Sequence, residues 1–254
     1  MDKKIVLITG ATSGIGEACA RLFAEKGHEL IITGRRKERL AKLEKELWEK
    51  HECRSLSLNF DVQSRAETEA ALSSLPDAWK KVDILLNNAG LASGLDTIQE
   101  GDIDDWEKMI DTNVKGLLYV SRGVLPWMIQ RKKGHVINIG STAGKEVYAK
   151  GNVYCASKHA VDALTKGMRI DLLGKGIKVT QISPGAAETE FSLVRFHGDS
   201  EHAKKIYDGY RPMAPQDIAG LVLMATELPE HLCINDLVVT SLDQANSFYI
   251  NKTN

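Results

Sequence analysis

An apolar run from Lys4 to Thr9 (K-I-V-L-I-T) passes directly into T-G-A-T-S-G-I-G and then into E-A-C-A-R-L-F-A-E-K, which stops at Gly27. Few folds accept that order. A near-continuous apolar run is what a strand shows when both faces of a parallel sheet are covered. Gly10, Gly14 and Gly16 then give a tight strand-to-helix turn without Cβ atoms, over which a pyrophosphate can approach the backbone. The following helix offers free N–H groups and its positive dipole end. The spacing, G-x-x-x-G-x-G, departs from the G-x-G-x-x-G fingerprint, so the nucleotide reading rests on the strand before it and the amphipathic helix after it.

A second strand, E-L-I-I-T, ends in Gly34-Arg35-Arg36, about where a dinucleotide fold reads the adenosine ribose. An acidic residue there binds the 2'-hydroxyl of NAD, whereas arginine accommodates the 2'-phosphate of NADP. Two guanidinium groups and no acid predict NADP(H). The competing explanation is that Arg35 and Arg36 only begin a charged helix, but helix N-termini prefer acids. A third strand, S-L-S-L-N-F, closes with Asp61-Val62, either an adenine contact or a helix cap. The fourth, D-I-L-L, runs into Asn87-Asn88-Ala89-Gly90, small residues at a strand end that let a ligand sit close.

The chemistry is concentrated between Ser141 and Lys158. Tyr154 and Lys158 are four residues apart and share one face of a helix. A tyrosine hydroxyl titrates near ~10, and a neighbouring ammonium favours the phenolate and brings it toward the working range. Ser141 can hold a carbonyl or alcohol oxygen where Tyr154 exchanges a proton with it. A surface Tyr-x-x-x-Lys pair is the bland alternative, and its place after a strand-like H-V-I-N-I-G-S argues against it. Upstream, a long helix from about Ile103 to Arg131 contains Asn113 and is expected to break near Pro126. Asn113 is either a tolerated surface residue or a distortion that presents polar groups to the tyrosine-lysine face.

Beyond a sixth strand, K-V-T-Q-I, and Ser183-Pro184-Gly185, residues Ala186 to Arg211 lack a strand pattern, which predicts a lid over substrate. Within it Arg195 is a candidate to pair with a substrate carboxylate, unless it is tied to Glu188 or Glu190. Pro215 and Asp217 start a last helix, and N-D-L-V-V-T gives a final strand before a polar tail.

The 254 residues are expected to form a single α/β domain, 1–254, burying roughly 70 to 75% of its unfolded surface. A net charge of -1 without long basic runs gives no reason to invoke nucleic acid or anionic membrane. The first apolar run is far short of a span of about 20 residues and reads as a cytoplasmic first strand. Four cysteines without C-x-x-C spacing and seven scattered histidines predict no metal and no disulfide framework.

In order, T-G-A-T-S-G-I-G, T-G-R-R, D-V, N-N-A-G, Asn113, Ser141, Y-C-A-S-K and S-P-G resemble the short-chain dehydrogenase/reductase family over essentially the whole length. The resemblance implies a doubly wound Rossmann-type sheet of about seven parallel strands, a homotetramer, and a tetrad of Asn113, Ser141, Tyr154 and Lys158. In it Tyr154 is the acid/base, Lys158 lowers its pKa and binds the nicotinamide ribose, and Asn113 positions a water that links Lys158 to solvent. The cofactor set comprises Gly10, Thr12, Ser13, Gly14, Ile15, Gly16, Arg35, Arg36, Asp61, Val62, Asn88, Ala89, Gly90, Tyr154, Lys158, Pro184, Gly185 and Thr189.

T-G-R-R-K-E-R-L, the run L-P-D-A-W-K-K-V-D-I-L-L-N-N-A-G-L-A-S-G and T-E-F-S-L-V-R-F-H-G-D look like the NADP-dependent 3-hydroxy acid dehydrogenase subfamily. Its members oxidise L-allo-threonine, serine and related acids and reduce malonic semialdehyde. The segment A-A-E-T-E-F after Gly185 departs from that subfamily's pattern, in a segment that touches both nicotinamide and substrate. The alternatives are a reductase of neutral ketones and, more remotely, a non-catalytic NADP-sensing protein.

Overall fold

The computed structural model describes residues 3–253. Seven parallel strands form one sheet in the order β3-β2-β1-β4-β5-β6-β7. They are β1 (Ile5–Ile8), β2 (Glu29–Gly34), β3 (Ser55–Asn59), β4 (Ile84–Asn87), β5 (Gly134–Ile139), β6 (Ile177–Pro184) and β7 (Asp236–Val239). The connecting helices are α1 (Gly14–Glu25), α2 (Lys37–His51), α3 (Arg65–Ser73), α4 (Ile103–Ile110), α5 (Leu117–Arg131) and α6 (Asn152–Asp171). Two short helices, α7 (Phe191–Arg195) and α8 (Ser200–Lys205), precede α9 (Pro215–Glu227).

The apolar run of β1 is explained by its two covered faces. Val6 and Ile8 pack with Phe23 of α1, Leu40 and Leu47 of α2 and Val222 of α9. Leu7, between them, packs on the opposite side with Val120 and Val124 of α5 and Val161 of α6. All three strand residues are fully buried, each contributing about 1.5–3 kcal/mol of burial. Because β1 lies between β2 and β4, the strand order reverses there and opens a crevice at the carboxyl ends of the strands.

Two departures from the sequence expectations bear on the crevice. The helix from Ile103 is interrupted at Asp111–Gly116, a wide π-type turn that contains Asn113, while Pro126 lies inside a continuous α5. Asn113 gives the reason. Its amide accepts from Leu91 N–H (2.8 Å) and donates to Leu91 carbonyl (2.8 Å) and Ser157 Oγ (2.9 Å), ties that pull this turn toward the β4 loop and α6. The segment Ala186 to Arg211 is not featureless, since it holds α7 and α8 and a parallel bridge from Ala187 to Met213.

The polar tail is also folded back. Gln244 Oε1 accepts from Ala186 N–H (2.8 Å), and Ser247 N–H donates to Glu146 (2.9 Å). No helix among the described residues is long and apolar enough to cross a membrane.

Candidate active site

A cavity of about 490 Å³ occupies the crevice, running from Arg35 and Arg36 at one end to Tyr154, Arg195 and Ile250 at the other. That volume is in the range of small-molecule and cofactor sites. Its floor is the glycine turn. Gly10 and Gly14 have φ of +67° and +55°, conformations that residues with a Cβ adopt at a cost. A Cβ on Gly16 would lie 2.4 Å from the Gly10 carbonyl oxygen, so the helix can start this close only with glycine there. Asn88 staples the turn to β4 by donating to the carbonyls of Thr9 (2.9 Å) and Gly10 (3.2 Å). Thr9 Oγ1 in turn accepts from the N–H groups of Asn88 and Ala89.

Arg36, at the N-cap of α2, donates to Thr12 Oγ1 and Ser13 Oγ and to the carboxylate of Glu190. Arg35 points to Asp61 at 3.4 Å. Asp61 does not cap α3, since Ser64 does so by accepting from Glu67 N–H. Val62, Gly90, Pro184, Gly185 and Thr189 line the same cavity, with Thr189 packed over Gly14.

At the other end Ser141 caps a short 3₁₀ turn, accepting from Ala143 N–H, and lines the cavity together with Tyr154. Tyr154 is buried, with Phe191 of α7 edge-on to its ring at 5.5 Å between centroids. Burial pushes its phenol above the ordinary tyrosine range, with Tyr148 adding to the effect while the Ser141 hydroxyl and Arg195 oppose it. Lys158 sends its ammonium to the Ile139 carbonyl (3.0 Å), and burial lowers its pKa to about 8. Desolvation dominates both groups, in opposite directions.

Arg195 is tied to neither Glu188 nor Glu190. Its Nε donates to the Gly94 carbonyl (3.3 Å) and its Nη1 to Tyr148 Oη (2.9 Å), and its guanidinium sits 5.7 Å from the Tyr154 ring centroid. Nη2 is buried without a partner, in a residue only 9% exposed. A buried cation with no carboxylate and one orphaned donor is costly unless an anion completes it.

Several lining residues carried no signal in the sequence reading. Tyr148 and Tyr207 lie in the Ser141–Lys158 stretch and the lid but match no motif, Gln244 and Ile250 come from the polar tail, and Arg39, outside the cavity lining and three residues beyond Arg36, joins it on Glu190. The R-R-x-x-R spacing of Arg35, Arg36 and Arg39 was the one available hint. Among the described residues no cluster of three or more His, Cys, Asp or Glu is set to hold a metal.

A doubly wound sheet with a glycine turn at its switch point, and a serine, tyrosine and lysine at the carboxyl end of β5 and on α6, define a nucleotide-dependent oxidoreductase. The profile of the family described as short chain dehydrogenase matches residues 4–198, and the chain belongs to that family. It is 48% identical to the NADP-dependent 3-hydroxy acid dehydrogenase YdfG of Salmonella typhi over 242 residues, covering 95% of this chain and 96% of that protein. It is 44% identical to sulfoacetaldehyde reductase 2 of Chromohalobacter salexigens, covering 96% and 97%. The structure of the closed form of serine dehydrogenase complexed with NADP+ superposes with a TM-score of 0.91 at 47% identity, covering 96% and 97%.

Proposed function

We propose that this chain is a cytoplasmic NADP(H)-dependent dehydrogenase that interconverts small 3-hydroxy acids, of the L-allo-threonine, serine and 3-hydroxypropionate type, with their 3-oxo acids. The observation that carries the substrate half of this reading is the unpaired Nη2 of Arg195, buried beside Tyr148 and Tyr154. An anionic group there gains charge-assisted hydrogen bonds, and a neutral ketone leaves the cation unpaired. The cofactor half is supported by the fit of the cavity to a phosphorylated dinucleotide: a floor without Cβ atoms at Gly10, Gly14 and Gly16, and arginines at its far end.

The cofactor, when bound, supplies or accepts the hydride. The protein's residues handle the oxygen. Ser141 and Tyr154, which line the same end of the cavity, hold the substrate oxygen between two hydroxyls, and Tyr154 gives or takes its proton. A phenol held above its usual range is in the acid form through neutral pH, which suits reduction. Lys158 is mostly protonated below about 8 and is the cation on the same helix face. Asn113 fixes the Leu91 backbone and Ser157, one residue before Lys158, and so helps to position α6 and its lysine. Val161 and Met168 of α6 face the core, while Ile170 near its end and Leu173 just beyond it are 75% and 83% exposed, apolar surface that a homotetramer would have to cover if it forms there.

Arg195 takes a sulfonate by the same donors as a carboxylate, so the 44% likeness to a sulfoacetaldehyde reductase gives a second reading. The test is initial rates with L-allo-threonine, serine and 3-hydroxypropionate in NADP or NAD, and with sulfoacetaldehyde and a neutral ketone in the reverse direction. Hydroxy acids turned over with NADP preferred is the expected result. Sulfoacetaldehyde preferred by tenfold or more shifts the substrate to sulfonates. Activity confined to the ketone removes the anion reading.

A further inference from the structure

Glu190 lines the arginine end of the cavity. Arg36 spends its guanidinium on three neighbours: Nε and Nη2 on Thr12 Oγ1 (3.1 and 2.9 Å), Nη2 also on Ser13 Oγ (2.7 Å), and Nη1 on Glu190 Oε2 (2.9 Å). Arg39 Nη1 lies 2.8 and 2.9 Å from the two Glu190 oxygens. Partial burial pushes the Glu190 carboxyl up, but hydrogen bonds from Arg36 and Arg39 outweigh it and hold the group below the usual carboxylate range. It is an anion at neutral pH. Thus Nη1 of Arg36, at the end of the cavity where a 2'-phosphate would be bound, and Nη1 of the neighbouring Arg39 already carry a carboxylate of the same chain.

We propose that Glu190 is a cofactor-selectivity residue, its carboxylate competing with the 2'-phosphate of NADP(H) for Arg36 and Arg39. This rests on the assignment of Arg36 to the 2'-phosphate. A dianionic phosphate and a carboxylate cannot both take those donors without close like-charge contact. Either Glu190 stays and repels the phosphate, or it swings out and two half-exposed ion pairs are lost. Both routes lower affinity for NADP(H). A ribose 2'-hydroxyl has no charge to be repelled and can donate to Glu190 directly, so NAD(H) is unaffected or mildly favoured. Glu190 therefore narrows the preference between the two cofactors. It also directly precedes α7, which carries Phe191 against Tyr154 and the Arg195 guanidinium, so displacement of its carboxylate is felt where the lid meets the catalytic tyrosine.

The experiment is calorimetric titration of the wild type, Glu190→Gln and Arg36→Ala with 2',5'-ADP and with ADP, which needs no substrate and no turnover. Glu190→Gln keeps the shape of a half-exposed side chain and should fold normally. It is expected to tighten 2',5'-ADP by about 5–10-fold and to change ADP by less than about twofold. Arg36→Ala is expected to weaken 2',5'-ADP by about tenfold or more. If Arg36→Ala leaves 2',5'-ADP unchanged, the arginine assignment fails and the Glu190 role with it. If Arg36→Ala weakens binding while Glu190→Gln leaves 2',5'-ADP unchanged, weakens it, or tightens both ligands alike, the arginine assignment stands and the competition is overturned.

Discussion

The glycine turn and the lid face each other across one cavity, yet they are positioned by different forces. The turn is held by backbone: left-handed Gly10 and Gly14, Gly16 against the Gly10 carbonyl, and the Asn88 amide on two main-chain oxygens. The lid, beyond the bridge from Ala187 to Met213 and the Gly94 N–H bond to the Arg195 carbonyl, is held by side chains. Glu190 pairs with Arg36 and Arg39, His197 lies 3.0 Å from Asp105, Ser192 meets Tyr207 at 2.7 Å, and Arg195 leans on Gly94 and Tyr148. Backbone geometry of the first kind tolerates almost no substitution, because a Cβ has nowhere to go. Half-exposed pairs of the second kind are worth little each and can be exchanged, so specificity can change in the lid while the cofactor floor stays the same.

The sharpest way to separate the two regions is to remove a group that neither region can replace. Tyr154→Phe keeps the ring against Phe191 and deletes the hydroxyl, and is expected to lower kcat by about 10²–10⁴-fold with NADPH affinity within about threefold of wild type. Stopped-flow rates and NADPH fluorescence titration check both. Near-normal turnover would remove Tyr154 as the acid/base.

On the turn side, Gly16→Ala forces backbone apart and is expected to cost about 1–3 kcal/mol of stability in urea unfolding and to weaken NADPH by tenfold or more. A lid substitution of the same size should leave stability within about 0.5 kcal/mol. If Gly16→Ala melts like wild type and binds normally, the turn is not the constraint described.

Lys158 sharpens the comparison from a third direction, since burial of its ammonium costs stability that function retains. Its folded pKa of about 8 lies below the unfolded value of about 10.5, so between those values the unfolded chain binds more protons and stability rises with pH. Below about 8 the full cost of about 3 kcal/mol is present. Lys158→Met is expected to raise stability at pH 7 by about 1–3 kcal/mol, after the lost bond to the Ile139 carbonyl, and to flatten the pH dependence between 8 and 10.5. Thermal unfolding across pH checks the sign, and a destabilised, pH-insensitive variant contradicts it.

The asymmetry between the regions also explains what could be read from the sequence. Glycines at a strand-to-helix turn announce themselves because backbone conformation is local, and the apolar runs mark the individual strands, while the doubly wound sheet came from the family resemblance. Arg36 and Tyr154 were visible as motif residues. Glu190 was visible only as a possible partner for Arg195, and instead pairs with Arg39, 151 residues away in the chain. Nothing local states that choice. The break expected near Pro126 is absent, and of the two alternatives for Asn113 the distortion holds, decided by its contacts with Leu91 and Ser157, which are distant in sequence. The folded-back tail at Gln244 and Ile250, and the role of Tyr148 within its marked stretch, were illegible for the same reason: they come from where the sheet puts them.

The central claim is that the lid supplies a buried cation for an anionic substrate. Arg195→Ala measured as kcat/KM for L-allo-threonine and for a neutral ketone tests it directly. The account predicts a loss of about 10–100-fold for the hydroxy acid, from about 1.5–3 kcal/mol of charge-assisted hydrogen bonding, with the ketone changed by less than about threefold. An equal loss on both substrates would make Arg195 a structural prop for Tyr148 and Gly94, and the anionic-substrate reading would fall with it.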